Sequence, residues 1–373
     1  MKKLAIAATT LGVIATGASA GSIQRDGDRS QILFEKGKNY LQFSATVVAP
    51  RIEGTDTGNS PFLGPLLTGR QSGNITDTFV TFSGGYKREI NDRLTVALVA
   101  NEPVGADVSY EPNTDPATAY FFAGSNAEVD SIALTGLVKY KVVDAFSVYG
   151  GVRIQSLDGN VDLGTPLLPV PAYTLDVDTD ISFGYVLGVA YEKPEIGLRV
   201  SLTYDSRITH EFEDNNGTPF DVEIPQAVTL NFRTGLSQKT LLFGSVRWQE
   251  WTEFEVAPED FLTNPLNVDS LPIAFGTTDY ITYELGLGRR FSEMWSGAFT
   301  VGFEEGGADP VGNLEGRDGF TSFGASIRYS QPAYDVTFGV KYFLFGDTET
   351  TTIAANFEDN EALAIGMQVG YRF

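Results

Sequence analysis

The last nine residues, Ile365-Gly366-Met367-Gln368-Val369-Gly370-Tyr371-Arg372-Phe373, fall into two sets by parity. Ile365, Met367, Val369, Tyr371 and Phe373 are apolar, while Gly366, Gln368, Gly370 and Arg372 are small or polar. Successive side chains of a strand point to opposite faces, so this segment offers an apolar surface to one medium and a polar surface to the other. The pattern recurs upstream. Val336, Phe338, Val340 and Tyr342 alternate with Thr337, Gly339, Lys341 and Phe343. Ile196, Leu198, Val200, Leu202 and Tyr204 alternate with Gly197, Arg199, Ser201, Thr203 and Asp205, which puts every charge of that segment on one side. One such segment is equally a half-buried strand of a soluble sheet; many in series, each of about ten residues, are what a strand cylinder in lipid requires.

The alternation predicts strands over 39 to 49, 76 to 90, 93 to 110, 128 to 142, 146 to 158, 177 to 192, 196 to 210, 224 to 237, 240 to 255, 278 to 291, 295 to 305, 319 to 331, 334 to 346 and 362 to 373. The connections alternate in length. Short turns such as Asn91-Asp92 and Lys193-Pro194-Glu195 lie at one end, and long loops such as 50 to 75 and 256 to 277 at the other. An even number of strands with both termini on the short-turn side is the convention of bacterial outer-membrane barrels, and closure removes the sheet edges that lipid cannot satisfy. The expected fold is all-β: a 14-stranded antiparallel transmembrane barrel over 39 to 373, preceded by a short N-terminal segment over 21 to 38.

Residues 1 to 20 read as an address. Lys2 and Lys3 precede a short apolar run, and Ala18-Ser19-Ala20 forms an A-x-A cleavage site, so the mature chain is expected to begin at Gly21. After that no window offers 18 consecutive apolar residues, which leaves strands as the means of crossing a bilayer.

Composition narrows the function classes. The 373 residues carry 26 Lys+Arg against 48 Asp+Glu, a formal charge of −22 that argues against a nucleic-acid partner. With no cysteine and one histidine, His210, neither thiolate chemistry nor a His/Cys metal site is expected, and no cofactor. A Ser-His hydrolase would have to use His210 with Glu211 beside it. The 40 glycines and 26 Phe with 16 Tyr suit close-packed strands with aromatic girdles. Much of the acidic excess, for instance Glu211, Glu213, Asp214, Asp221 and Glu223, falls in the long loops, as a solvated face or as a divalent-ion bridge to lipopolysaccharide.

The order of features resembles the FadL-type outer-membrane transporters for long-chain fatty acids and other hydrophobic compounds. The stretches that carry the likeness are Ile32-Leu33-Phe34-Glu35-Lys36-Gly37 through Val48-Ala49-Pro50, Asn74-Ile75 through Asn101-Glu102-Pro103-Val104-Gly105-Ala106-Asp107-Val108-Ser109-Tyr110, and Ile224-Pro225-Gln226 through Trp248-Gln249-Glu250-Trp251. The resemblance implies a monomeric barrel plugged by an N-terminal hatch, capture of hydrophobic compounds at external loops, and sideways exit through a kink in the third strand. Two features depart from the family pattern: the hatch is short, and Phe34-Glu35-Lys36-Gly37 stands where the family carries Asn-Pro-Ala.

The third strand is kinked on physical grounds as well. Pro103 has no N–H for the ladder and Gly105 tolerates a bulge, so Asn101, Pro103 and Gly105 mark either a wall opening or a harmless bulge near the rim. Parity puts Phe243, Trp251 and Phe343 in the lumen, together with Arg153, Arg247 and Lys341, cations several residues up their strands that suit a solute carboxylate. Phe62, Leu66, Leu163, Leu167, Leu168, Phe261 and Leu262 make the long loops apolar, either as collectors of hydrophobic solute or as a mutual cap. The function expected is passive outer-membrane uptake of long-chain fatty acids or other hydrophobic compounds; the alternative is a general diffusion porin, with a wide aqueous lumen. Outer-membrane lipid, lipopolysaccharide and, through C-terminal Phe373, the barrel-assembly machinery are the expected partners.

Overall fold

The computed structural model describes residues 23–25, 27–62, 64–307 and 310–373, so residues 1 to 20, where a signal peptide is expected, and Leu63 lie outside the described residues. Fourteen strands form one ring. They are β1 Asn39–Arg51, β2 Phe79–Glu89, β3 in two pieces Leu94–Asn101 and Ala106–Ser109, β4 Asn126–Val143, β5 Phe146–Leu163, β6 Tyr173–Lys193, β7 Leu198–Asp205, β8 Ala227–Ser237, β9 Thr240–Gln249, β10 Tyr280–Arg290, β11 Trp295–Glu304, β12 Phe320–Ser330, β13 Tyr334–Phe345 and β14 Glu361–Arg372. Every neighbour is antiparallel, and β1 closes on β14 with Val47 opposite Ile365 and Tyr40 opposite Arg372. The expected strand ends hold to within a few residues, except at four places: β3 is interrupted, the fifth strand runs on to Leu163, the seventh stops at Asp205, and the ninth stops at Gln249.

The parity rule is what closes the ring. Phe183, Ile132, Phe299 and Leu285 are 67, 64, 53 and 53 % exposed, members of an apolar belt that runs round the whole wall. Such a belt is stable only in hydrocarbon. At the short-turn end it is edged by aromatics: Trp295 meets Tyr329 at 4.9 Å, and Tyr86 stacks on Phe373 at 6.3 Å. On the inner face, glycines make room for neighbouring rings. A Cβ on Gly188, Gly286 or Gly370 would stand 2.2–2.3 Å from Tyr149, Phe243 or Tyr40 respectively, so much of the high glycine content answers to inward packing.

The long loops carry structure of their own. Past β7, Ser206 N bonds Tyr185 O and the chain restarts as Ile208–Glu213, paired with Pro219–Ile224. Past β9, the chain leaves the ladder so that Trp251 can turn inward in a short 3-10 turn and bury itself to 2 % exposure. Segments Glu53–Asp56, Gln71–Asn74, Thr348–Glu349 and Ala355–Phe357 make a small sheet over the long-loop end.

Inside the ring, residues Arg29–Phe34 form a 3-10 helix capped by Asp28, whose Oδ1 accepts from Ser30 N at 2.9 Å. Ile32, Leu33 and Phe34 pack against Tyr40, Val99, Leu137 and Tyr149 of the wall. Phe34 meets Tyr149 edge-on at 5.7 Å, with Lys139 Nζ at 4.3 Å and the Arg199 guanidinium at 4.5 Å from its ring centre. Asp28 Oδ2 accepts from Asn231, Gln31 and Thr203 at 2.7, 2.8 and 3.0 Å, tying the segment to the wall strands β7 and β8.

Candidate functional site

The wall is incomplete at one place. The first piece of β3 pairs with β2 up to Asn101 opposite Ser83, and with β4 up to Asn101 opposite Ala133. The second piece resumes on β4 with Ala106 opposite Val129, so four residues, 102–105, face three, 130–132. On the β2 side the next contacts are Thr76 opposite Val108 and Ser109 N to Ile75 O at 2.9 Å, and no ladder joins the stretch between. The kink expected from Pro103 and Gly105 is therefore an interruption of pairing between β2 and β3, with Asn101 as the last laddered residue.

Lipid offers no partner to a free backbone group, so the groups released here are met by other means. Phe82 N–H donates to the Glu102 carboxylate. Val104 N donates to Ser131 Oγ at 3.0 Å, and that hydroxyl donates back to Val104 O. The rest is done by the N-terminal segment: Arg25 N donates to Pro103 O at 2.9 Å, and Gly105 N donates to Ile23 O at 2.7 Å. Behind the interruption lies a small cavity of about 60 Å³, with Val48, Ile52, Ile75, Val108 and Phe345 as apolar lining and Arg25 and Arg317 as cations. Burial lowers the pKa of Arg25 from its ordinary value, against the raising effect of Asp130 and then Glu102, Asp107 and Glu128.

Two apolar clusters fill the long-loop half of the lumen. Phe343, buried to 2 %, sits in the first with Val48, Ile75, Val108, Phe320 and Phe345, and meets Phe320 at 5.4 Å. Trp251 sits in the second with Ile23, Val104, Ile208, Phe212 and Phe254. Phe243 belongs to neither. It lies near the short-turn end of β9 against Gly286, so the three aromatics that parity grouped together line different levels of the lumen.

Arg153 and Arg247 do converge, on a carboxylate of the protein itself. Asp205 is salt-bridged to Arg153, and lies 3.6 Å from Arg247 Nη1 and 3.5 Å from Nη2 of Arg29 of the N-terminal segment. Three guanidinium groups thus share one buried carboxylate. Lys341 Nζ is 2.7 Å from Glu284 and 5.3 Å from the Phe343 ring centre, so this cation too is paired with an acid of the protein. Arg25, Arg29 and Asp205 were not among the residues expected at the site. Asp205 carried a signal, since it shares the inward parity of Arg199; Arg25 and Arg29 carried none.

Of the loop residues, Leu163 and Phe261 pack with Tyr173, Leu175, Leu266 and Ile273 in a cap, and Leu167 and Leu168 lean on the Phe343 cluster. Leu262 is half-buried, Phe62 is 49 % exposed, and Leu66 falls in the 3-10 turn Gly64–Leu67. His210 is fully buried with Nδ1 2.8 Å from Asp180, and its Nε2 makes no hydrogen bond among the described residues, so no serine stands ready on it. Among the described residues there is no cluster of ligands able to hold a metal.

A family model for outer membrane transport proteins, described as OMPP1/FadL/TodX, matches residues 31–287, more than half of the chain. The chain belongs to the FadL/TodX family of outer-membrane transport proteins. Solved members share the fold of this FadL/TodX protein at low identity. A Pseudomonas aeruginosa FadL homologue is 16 % identical, with 93 % of each chain covered and a TM-score of 0.69. The Pseudomonas putida toluene transporter TodX is 10 % identical over 93 % of each chain at 0.64, and the Ralstonia pickettii toluene transporter TbuX is 11 % identical over 91 and 90 % at 0.60. No curated protein matches it in sequence. The family makes this an outer-membrane β-barrel for the transport of hydrophobic compounds.

Proposed function

We propose that the protein takes up long-chain fatty acids or related hydrophobic compounds passively, with capture at the outer loops, passage through the luminal clusters and exit sideways between β2 and β3. The interruption at residues 102–105 carries the proposal, because it is a break in the wall backed by an apolar cavity. A hydrophobe gains about 0.8 kcal/mol for each methylene taken out of water, so a route ending in the bilayer keeps what a route ending in the periplasm would return. Phe62 is the exposed end of the loop collector, and Leu163, Leu167, Leu168, Phe261 and Leu262 line the way in. The same reading has the chain exported by cleavage after Ala20, assembled as a monomer through Phe373, and embedded among outer-membrane lipid and lipopolysaccharide.

Two measurements test this. Cells lacking the gene should take up radiolabelled oleate supplied at low concentration more slowly than the parent, with recovery when the gene is restored; equal uptake by both sinks the proposal. In planar bilayers the purified protein should pass no large steady ion current, since the N-terminal helix and the two clusters occupy the lumen. A porin-like current would show that the filling does not obstruct water.

A further inference from the structure

We infer that Lys139, Arg199 and Arg233 form a carboxylate-binding site at the short-turn end of the lumen, and that its ligand is an amphiphilic acid with an apolar chain; this rests on the reading of the lumen as a path for hydrophobic compounds. The cations expected to meet a solute carboxylate are already taken by acids of the protein: Arg153 and Arg247 by Asp205, and Lys341 by Glu284. Asp335 likewise takes both Arg328 and Arg372. Lys139 on β4, Arg199 on β7 and Arg233 on β8 differ from these, since none of the three makes an ion pair among the described residues. Glu35 and Glu192, the acids whose charge reaches both arginines, form no ion pair with either.

The three cations gather round Phe34. Lys139 Nζ and the Arg199 guanidinium both lie over its ring, and Arg233 stands directly opposite Arg199 on the neighbouring strand. Residues paired in this way share a face, with Cβ atoms about 5 Å apart, so the two guanidinium groups point into the lumen together and repel. Arg199 is 4 % exposed, and its Nη2 donates to Gln31 Oε1 at 2.9 Å. Gln31 in turn donates to Asp28, which fixes the direction of the guanidinium. Its Nη1 is buried and makes no hydrogen bond among the described residues, and the same holds for Nε and Nη1 of Arg233. A carboxylate answers this arrangement, because it accepts from guanidinium edges and offsets both the burial and the repulsion of the charges. The surroundings suit an attached chain. Phe243 on β9 lies opposite Arg233 on its other side, so aromatic surface flanks the cations at Phe34 and at Phe243. Lys139, Arg233 and Phe243 are only half-buried, which leaves the group open to a solute.

Calorimetric titration of the purified protein in phosphatidylcholine nanodiscs, with empty discs as the blank, tests the site with octanoate, octanol, acetate and inorganic phosphate. Octanoate should bind roughly tenfold or more tightly than octanol, which lacks the charge, and than acetate, which lacks the chain. Arg233→Gln and Lys139→Gln should each weaken octanoate binding roughly tenfold and leave octanol unaffected. Neither substitution strands an acid, so Arg233→Gln should unfold at the same urea concentration as the wild type or at a higher one; a clear fall would mark Arg233 as a support of the fold and overturn the assignment. Octanoate binding that neither substitution weakens would overturn it too. So would acetate or phosphate binding as tightly as octanoate, since the cations would then hold small anions with no part for an alkyl chain. The two readings fail separately: parental oleate uptake by the deletion strain sinks transport, whereas loss of selective octanoate binding sinks this site alone.

Discussion

Removing Gly105 and replacing Pro103 with Val should abolish uptake while the barrel still folds. Residues 102–105 exceed the facing stretch 130–132 by one, and the inward parity changes across the surplus: Asn101 and Val108 are both buried although seven positions apart. Deleting one residue returns Ala106–Ser109 to the register set by Asn101 opposite Ala133, and a valine at 103 restores the missing N–H. The strand is then free to ladder with Phe79–Phe82 of β2, whose partners on that side are now absent or borrowed, as with Phe82 N–H and the Glu102 carboxylate. Gains of about 1 kcal/mol per restored hydrogen bond favour the repaired wall. Oleate uptake should fall roughly tenfold or more, as expected when a gate is sealed, while the heat-dependent electrophoretic shift of a folded barrel remains. Full transport by the repaired barrel would mean that solute leaves through the periplasmic end.

The barrel could be read from the sequence because lipid and lumen make opposite demands on adjacent residues. Ile365 to Phe373 needs no partner to declare its two faces, and the same holds for Leu198 to Asp205. The break in β3 was legible for a related reason: Pro103 lacks a donor wherever it is placed. What fills the break was not. The pairing of residues 23–25 with 103–105 joins segments about eighty positions apart with no period to link them, and Arg25 is an ordinary polar residue until Gly105 opens a path for it. Trp251 lies in a short 3-10 turn beyond the end of β9 and not on the strand expected to carry it, since parity continues past Gln249 while the hydrogen-bonded ladder does not. Parity assigns Arg153, Arg247 and Lys341 to the inner face, yet which acids they meet depends on curvature: Lys341 meets Glu284, and the two arginines meet Asp205.

Curvature matters most at Asp205, where the second large effect is expected. The side chain is 6 % exposed, and its three partners, Arg29, Arg153 and Arg247, are 7, 7 and 12 % exposed. They come from the N-terminal segment, β5 and β9, so a single carboxylate on β7 ties that segment to two other strands of the barrel. Asp205→Asn keeps the shape and removes the charge, leaving three guanidinium groups close together in a space that water enters poorly. Breaking a buried pair by removing one partner costs about 3–5 kcal/mol, and the surplus repulsion among the arginines acts in the same direction. The variant should unfold at clearly lower urea in detergent micelles, followed by the fluorescence of Trp248, Trp251 and Trp295. Adding Arg153→Gln should recover part of the loss, since one of the stranded charges is then gone; a double variant as weak as the sum of the two single ones would show that Arg153 and Asp205 act independently. The substitution also separates solute classes. With Asp205 neutral, Arg29, Arg153 and Arg247 become available to an incoming carboxylate, so oleate should be retained more tightly than by the wild type while a neutral hydrocarbon of similar length is not. Equal retention of the two would mean that the cluster serves only to hold the hatch, and that acids and hydrocarbons share one apolar path.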